Sequence, residues 1–167
     1  MKPPVAPFGD GTVTLRLIEE RDLTTILDWR NRDEARVWFK TSGKLSLDSH
    51  KRWYERYLAK DDDFFFLIEA GGTPVGQCGI YDIDRTCGSA EIGRFLVAPD
   101  KTGRGYITRS CAELVRFGTR ILGLPYLFLE VMERNDKAIK IYKQCGFTEE
   151  SRSEGLMRMG FRWNHRQ

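Results

Sequence analysis

The chain has 167 residues, 41% of them hydrophobic, which suits one well-packed domain and is short for two. Its 27 Lys and Arg stand against 24 Asp and Glu, a balance that lacks the basic footprint of a nucleic-acid binder and suits a small anionic ligand better than a polyanion. Four cysteines without a CxxC pair and only two histidines give no expectation of a metal site; the thiols read as reduced and mostly buried, as in a cytoplasmic protein.

The opening MKPPVAPFGDG lacks the apolar core of a signal peptide, and no apolar run approaches the roughly 20 residues that span a membrane. Residues 1–11 are expected to form a loose tail, with one domain from 12 to 167 and cytoplasmic residence. TVTLRLI, Thr12 to Ile18, alternates like a strand. A helix follows, with Leu23, Ile26, Leu27, and Trp29 or Arg30 at helical spacing. Ser46 is placed to cap the next helix, on which His50, Trp53, Tyr54, Tyr57 and Leu58 share a face expected to be buried.

DFFFLIEA, Gly71-Gly72 and TPVGQCGIYDI read as strand, tight turn and strand, an antiparallel hairpin. A turn over Arg85 to Ser89 leads into the strand AEIGRFLVAP. Then comes KTGRGYITRS, Lys101 to Ser110, at which an extended chain becomes a helix running from about Gly105 to Leu122. PYLFLEVME is a further strand, and NDKAIKIYKQCGF a short helix with Asn135 as its cap and Gly146 as its terminator. GLMRMGFRW supplies a last strand. The order predicts an α/β fold on one mixed sheet.

The glycine junction is the first functional signal. A helix N-terminus presents unpaired N–H groups and partial positive charge, and glycine lets a ligand approach the backbone, so the guest is an anion. Lys101, Arg104 and Arg109 add cationic reach suited to two or three phosphates. Neither a Walker loop nor a dinucleotide fingerprint fits these residues. About thirty residues on, a second strand-to-helix junction opens at Asn135, and two such junctions on neighbouring strands can flank one crevice.

RFLVAPDKTGRGYITRSCAEL together with LEVMERNDKAIKIYKQCGF resembles the core of the GNAT acetyltransferases, which transfer acyl groups from acyl-CoA to amines. The likeness runs from about Thr12 to Phe161. Its most specific part matches Asn-x-x-Ala-x-x-x-Tyr-x-x-x-Gly-Phe at Asn135, Ala138, Tyr142, Gly146 and Phe147. The family pattern Gln/Arg-x-x-Gly-x-Gly/Ala falls on Thr102, Gly105 and Ile107, keeping the central glycine while both ends depart.

The resemblance implies a GNAT fold: a single mixed, mostly antiparallel twisted sheet with helices on both faces. It implies acetyl-CoA as acyl donor, with Leu96 and Val97 on the pantetheine arm, Thr102, Gly103, Arg104, Gly105, Tyr106 and Ile107 around the pyrophosphate, and Asn135 at the second junction. Aminolysis of a thioester needs an acid for the leaving thiolate, and Tyr142 has that place; the attacking amine needs a base, for which Glu91 is the first candidate and Asp82 and Asp84 are alternatives. His50 reads as a satisfied, partly buried histidine.

LDWRNRDEARVWF followed by LSLDSHKRWYERYL is similar to the WRN-containing branch of the family, which includes an enzyme of pseudaminic acid biosynthesis that acylates the 4-amino group of a nucleotide-linked dideoxy sugar. That implies a small-molecule acceptor met by Trp29, Arg30 and Asn31. Arg36, Lys40, Lys44, Lys51 and Arg52, interleaved with Trp38, Phe39, Trp53 and Tyr54, offer the same mixture of cations and aromatic faces, although most of these cations read as an ordinary solvated surface. Two rival expectations are acetylation of protein N-termini, as by ribosomal-protein acetyltransferases, and a silent acyl-CoA sensor, against which the presence of Tyr142 counts.

Overall fold

The computed structural model describes residues 2–39 and 43–164; Lys40 lies outside them. In chain order the strands are β1 (Phe8–Gly9), β2 (Thr14–Leu17), β3 (Phe64–Ala70), β4 (Thr73–Asp84), β5 (Ser89–Val97), β6 (Tyr126–Met132), β7 (Thr148–Ser153) and β8 (Leu156–Arg162). The α-helices are α1 (Leu23–Asn31), α2 (Asp33–Arg36), α3 (Leu47–Leu58), α4 (Tyr106–Arg116) and α5 (Asp136–Gln144). The strands form one sheet in the order β1-β2-β3-β4-β5-β6-β8-β7, antiparallel except where β5 lies beside β6.

Local chemistry accounts for most boundaries. Ser46 Oγ accepts from Ser49 N–H at 3.1 Å and starts α3, and Asn135 Oδ1 accepts from Ala138 N–H at 3.3 Å and starts α5. Gly71 and Gly72, at φ 58° and 79°, make the two-residue turn between β3 and β4. Apolar alternation then buries opposite faces of the sheet. One face carries Phe64, Phe66, Cys78, Ile80, Ile92, Leu127 and Leu129 against Cys111, Leu114 and Val115 of α4 and Ile139 and Tyr142 of α5. The other packs Phe65 and Leu67 against Leu23, Ile26 and Trp29 of α1 and Tyr57 of α3.

The structure departs from expectation in four places. The segment expected as a loose tail is docked: Phe8 stacks on Phe117 at 5.1 Å and meets Phe66 edge-on at 5.3 Å, while β1 pairs with β2. The expected helix over 105–122 is α-helical only to Arg116 and continues as a π turn, Phe117–Ile121. There Thr119 Oγ1 bonds to Val115 C=O at 2.8 Å, and a Cβ on Gly118 would stand 3.0 Å from Ile80 and Leu127, so this turn is pressed onto the sheet. The first helix ends at Asn31, and α2 is separate. Finally, TEESRS forms β7 although every one of its residues is exposed, so it has no apolar alternation to read; its charges suit an edge strand.

Candidate active site

The strands β5 and β6 pair in parallel only over Ser89–Glu91 and Tyr126–Phe128. Beyond Glu91 they part, while the other edge of β5 stays bonded to β4 as far as Val97. The β6-facing edge of β5 from Ile92 to Val97 thus has no strand partner among the described residues, and its N–H and C=O groups open into a cavity of about 1020 Å³. An extended ligand carrying amides can complete such an edge as an added strand does.

A bulge shapes that edge. Gln77 and Gly79 of β4 face Leu96 and Gly93, so β5 carries one extra residue, and Arg94 takes the left-handed φ of 59°. The Gln77 side-chain amide donates to Arg94 C=O at 3.0 Å and fixes the bulge. The guanidinium of Arg94 grips buried Asp63 through two bonds of 2.6 and 2.9 Å.

At the end of β5, Pro99–Lys101 make one 3₁₀ turn, Gly103 has φ 78° and Gly105, the residue before α4, has φ 76°. No side chain caps α4, so the first amides of the helix are available to an anion. A Cβ on Gly103 or Gly105 would meet nothing within 4 Å; conformation, not crowding, calls for glycine at both. Gly105→Val is expected to move these amides and weaken acetyl-CoA binding about tenfold, from the order of 1–2 kcal/mol that the left-handed region costs a residue with a Cβ. Titration calorimetry reads it, and an unchanged affinity would mean that the anion sits elsewhere.

Of the residues selected for the donor, Leu96, Val97, Thr102, Ile107 and Asn135 line the cavity. Gly103, Arg104 and Gly105 stand exposed at its rim, and Tyr106 packs partly against the core. Tyr142, on α5, is 9% exposed, lines the cavity and lies 5.6 Å from the Phe95 ring, centroid to centroid. Burial above all, with the neighbouring Cys111, pushes its phenol well above its usual range, so it stays protonated.

Glu91 and Asp82 line the same cavity on the face that carries α1. Glu91 accepts from the Tyr81 hydroxyl at 3.2 Å. Asp84, an alternative base in the sequence reading, is spent on the turn, where it accepts from the N–H groups of Thr86 and Cys87 at 2.9 Å each. Trp29 and Arg30 line the same cavity together with Trp38, Phe39 and Trp53, and the Arg30 guanidinium lies 4.2 Å over the Phe39 ring.

Asn31 requires a correction. Its Nδ2 donates to Leu45 C=O and its Oδ1 accepts from Leu45 N–H, both at 2.8 Å, and it is not among the lining residues. It clamps the start of α3 to the end of α1 and so holds the ends of the segment that carries Trp38 and Phe39. His50 is buried and stacked on Trp53 at 5.3 Å, but its Nε2 has no hydrogen-bond partner among the described residues, so it is not satisfied. Among the other cations, Arg36 pairs with Asp33, while Lys44, Lys51 and Arg52 are exposed. Sequence reasoning missed Tyr81, Arg94 and Asp63, which no local pattern marks.

No group of His, Cys, Asp and Glu among the described residues could hold a metal ion, and no helix is long and apolar enough to cross a membrane. A splayed parallel pair, an open amide edge and an uncapped helix start, with aromatic side chains on the same cavity, suit an extended ligand that carries amides and phosphates. The chain belongs to the GNAT acetyltransferases: the model of the acetyltransferase (GNAT) domain matches residues 12–148. It is an N-acetyltransferase with acetyl-CoA as donor.

Among curated relatives, the spermidine N(1)-acetyltransferase of Escherichia coli K12 is 28% identical over 141 residues, 83% of this chain and 74% of that one. The acetyltransferase PseH of Campylobacter jejuni is 25% identical over 131 residues, 78% and 80% of the two chains. The fold matches that of the Vibrio cholerae spermidine N-acetyltransferase solved with CoA and spermine, at TM-score 0.84 and 24% identity over 92% of this chain and 96% of that one. It matches apo FdhC, a nucleotide-linked sugar GNAT, at TM-score 0.80 and 23% identity over 97% and 91%.

Proposed function

We propose that the chain acetylates an amine on a nucleotide-linked sugar, the 4-amino group of a dideoxy amino sugar. The observation that carries this reading is Arg30. Its guanidinium is buried at the acceptor end, and both that burial and the neighbouring Arg36 disfavour its charge. A pyrophosphate arriving with the acceptor suits the planar fork of this guanidinium, and Trp29, Trp38 and Trp53 offer flat faces to a base or sugar.

The donor supplies a thioester whose carbonyl carbon accepts the amine and whose sulfur leaves as thiolate. Backbone groups of β5 at Leu96 and Val97 would hold the donor, and the amides at the start of α4 would hold its phosphates. Glu91 takes a proton from the incoming amine, through a water, and Tyr142 gives its proton to the departing sulfur. The buried phenol is a weaker acid than in water, yet the thiolate forms in the same apolar surroundings and gains proton affinity for the same reason, so the transfer remains matched.

A second reading follows from Glu34, Asp82, Glu91 and Glu130, which also line the cavity and could hold a polyamine, the substrate class named for the Escherichia coli relative. Thiol release from acetyl-CoA, measured with nucleotide-linked 4-amino sugars, spermidine and peptides with free N-termini, separates the readings. Turnover with the nucleotide sugars, lost in Arg30→Ala, is the expected result. Turnover with spermidine alone would install the polyamine reading, and turnover with peptides would place the chain beside the ribosomal-protein enzymes.

A further inference from the structure

Gly79 and Gly93 are register partners across β4 and β5, so their missing side chains leave a bare patch beside the crevice. Two side chains fill it. A Cβ on Gly93 would stand 2.3 Å from the Tyr81 hydroxyl, and one on Gly79 would stand 3.1 Å from Arg94 Cδ and 3.2 Å from its Nη1. The Arg94 guanidinium lies 4.3 Å from the Tyr81 ring centroid and is itself fixed by Asp63. Tyr81, locked between strand and cation, has its hydroxyl directed at Glu91 Oε2, 3.2 Å away.

We infer that Tyr81 is a positioning residue for the reaction: its hydroxyl holds the Glu91 carboxyl group at the mouth of the crevice where the amine arrives. The inference rests on Glu91 being the base, as proposed above. A tyrosine there merely to fill space would not need two facing glycines to admit its hydroxyl and its cation. Burial first, and then Glu91 itself, raise the Tyr81 phenol above its usual range, so it remains a donor wherever the enzyme works. Among the described residues, the other charged groups lining this cavity are Asp82 of β4, Arg94 of β5, Arg30 of α1, Arg32 and Glu34 at the start of α2, Glu130 of β6 and Lys137 of α5, with Arg158 of β8 over the ring of Phe128, the residue paired with Glu91.

The test is Tyr81→Phe, which keeps the ring and its stacking and removes only the hydroxyl. A carboxylate that loses a donor is harder to ionise, so the sign is fixed: the acid limb of kcat/KM should move to higher pH, by about one unit. Turnover at neutral pH should fall about tenfold, with KM for acetyl-CoA within about twofold of the parent. Glu91→Gln should erase the acid limb, and Tyr81→Phe added to it should have no further effect. Gly93→Ala, whose new methyl group displaces the hydroxyl, should reproduce the shift with the tyrosine present. An unmoved limb in both Tyr81→Phe and Gly93→Ala, with the limb lost in Glu91→Gln, would overturn the role of Tyr81 and leave Glu91 as the base. An acid limb that persists in Glu91→Gln would overturn both.

Discussion

Tyr142→Phe should lower turnover by about a hundredfold or more while acetyl-CoA binds with nearly unchanged affinity, because the variant loses a proton donor that acts only as the sulfur leaves. The ring is what packs: it meets Phe95 at 5.6 Å and Phe147 at 6.4 Å, and phenylalanine keeps both contacts. Stability should therefore stay close to the parent. Steady-state kinetics with calorimetric binding of acetyl-CoA checks the split between kcat and affinity. Unchanged turnover would remove Tyr142 as the acid and direct attention to a water in the crevice.

The largest effect on stability is expected from Asp63→Ala. Asp63 is 4% exposed and accepts both bonds from Arg94, whose side chain is itself only 21% exposed. Removing the carboxylate leaves a guanidinium among Trp53, Phe65 and Tyr81 without its counter-charge. Breaking such a pair costs about 3–5 kcal/mol, which for a domain of this size lowers Tm by roughly 6–20 °C. The double change Asp63→Ala with Arg94→Met should recover much of that loss, since no uncompensated charge remains, but it should not recover activity if Arg94 holds Tyr81 in place. Thermal unfolding of the two variants, with their kcat, reads both statements.

Much of the fold is written locally, where neighbours in sequence settle the matter by their own geometry. Ser46 and Asn135 cap the helices that they were expected to cap, Gly71 and Gly72 make the hairpin turn, and the β3 and β4 runs alternate as strands do. The glycine junction before α4 is legible for the same reason, since φ near 76° at Gly105 is a demand of one residue's backbone. Tyr142 stands out in the sequence only through the resemblance of Asn135, Ala138, Tyr142, Gly146 and Phe147 to the family pattern, since its helical spacing alone reads as a core residue; the structure has it lining the cavity from α5.

Other features depend on contacts between residues far apart in the chain. The tail docks because Phe8 finds Phe117, and TEESRS becomes β7 because β8 offers an open edge, not because of any pattern of its own. Asn31 belongs to the WRN triplet, yet its amide turns to Leu45 and away from the cavity, a choice made by the packing of α1 beside α3. The unit of Asp63, Tyr81, Glu91, Gly93 and Arg94 joins β4, β5 and the residue just before β3, and exists only once β4 and β5 are in register. By itself the sequence determined the caps, the turns, six of the eight strands and, through its resemblance to the GNAT family, the acyl-CoA chemistry. Where β5 leaves β6, and which side chains face the opening, were decided by tertiary structure, because strand register and helix packing are set by burial summed over the whole sheet.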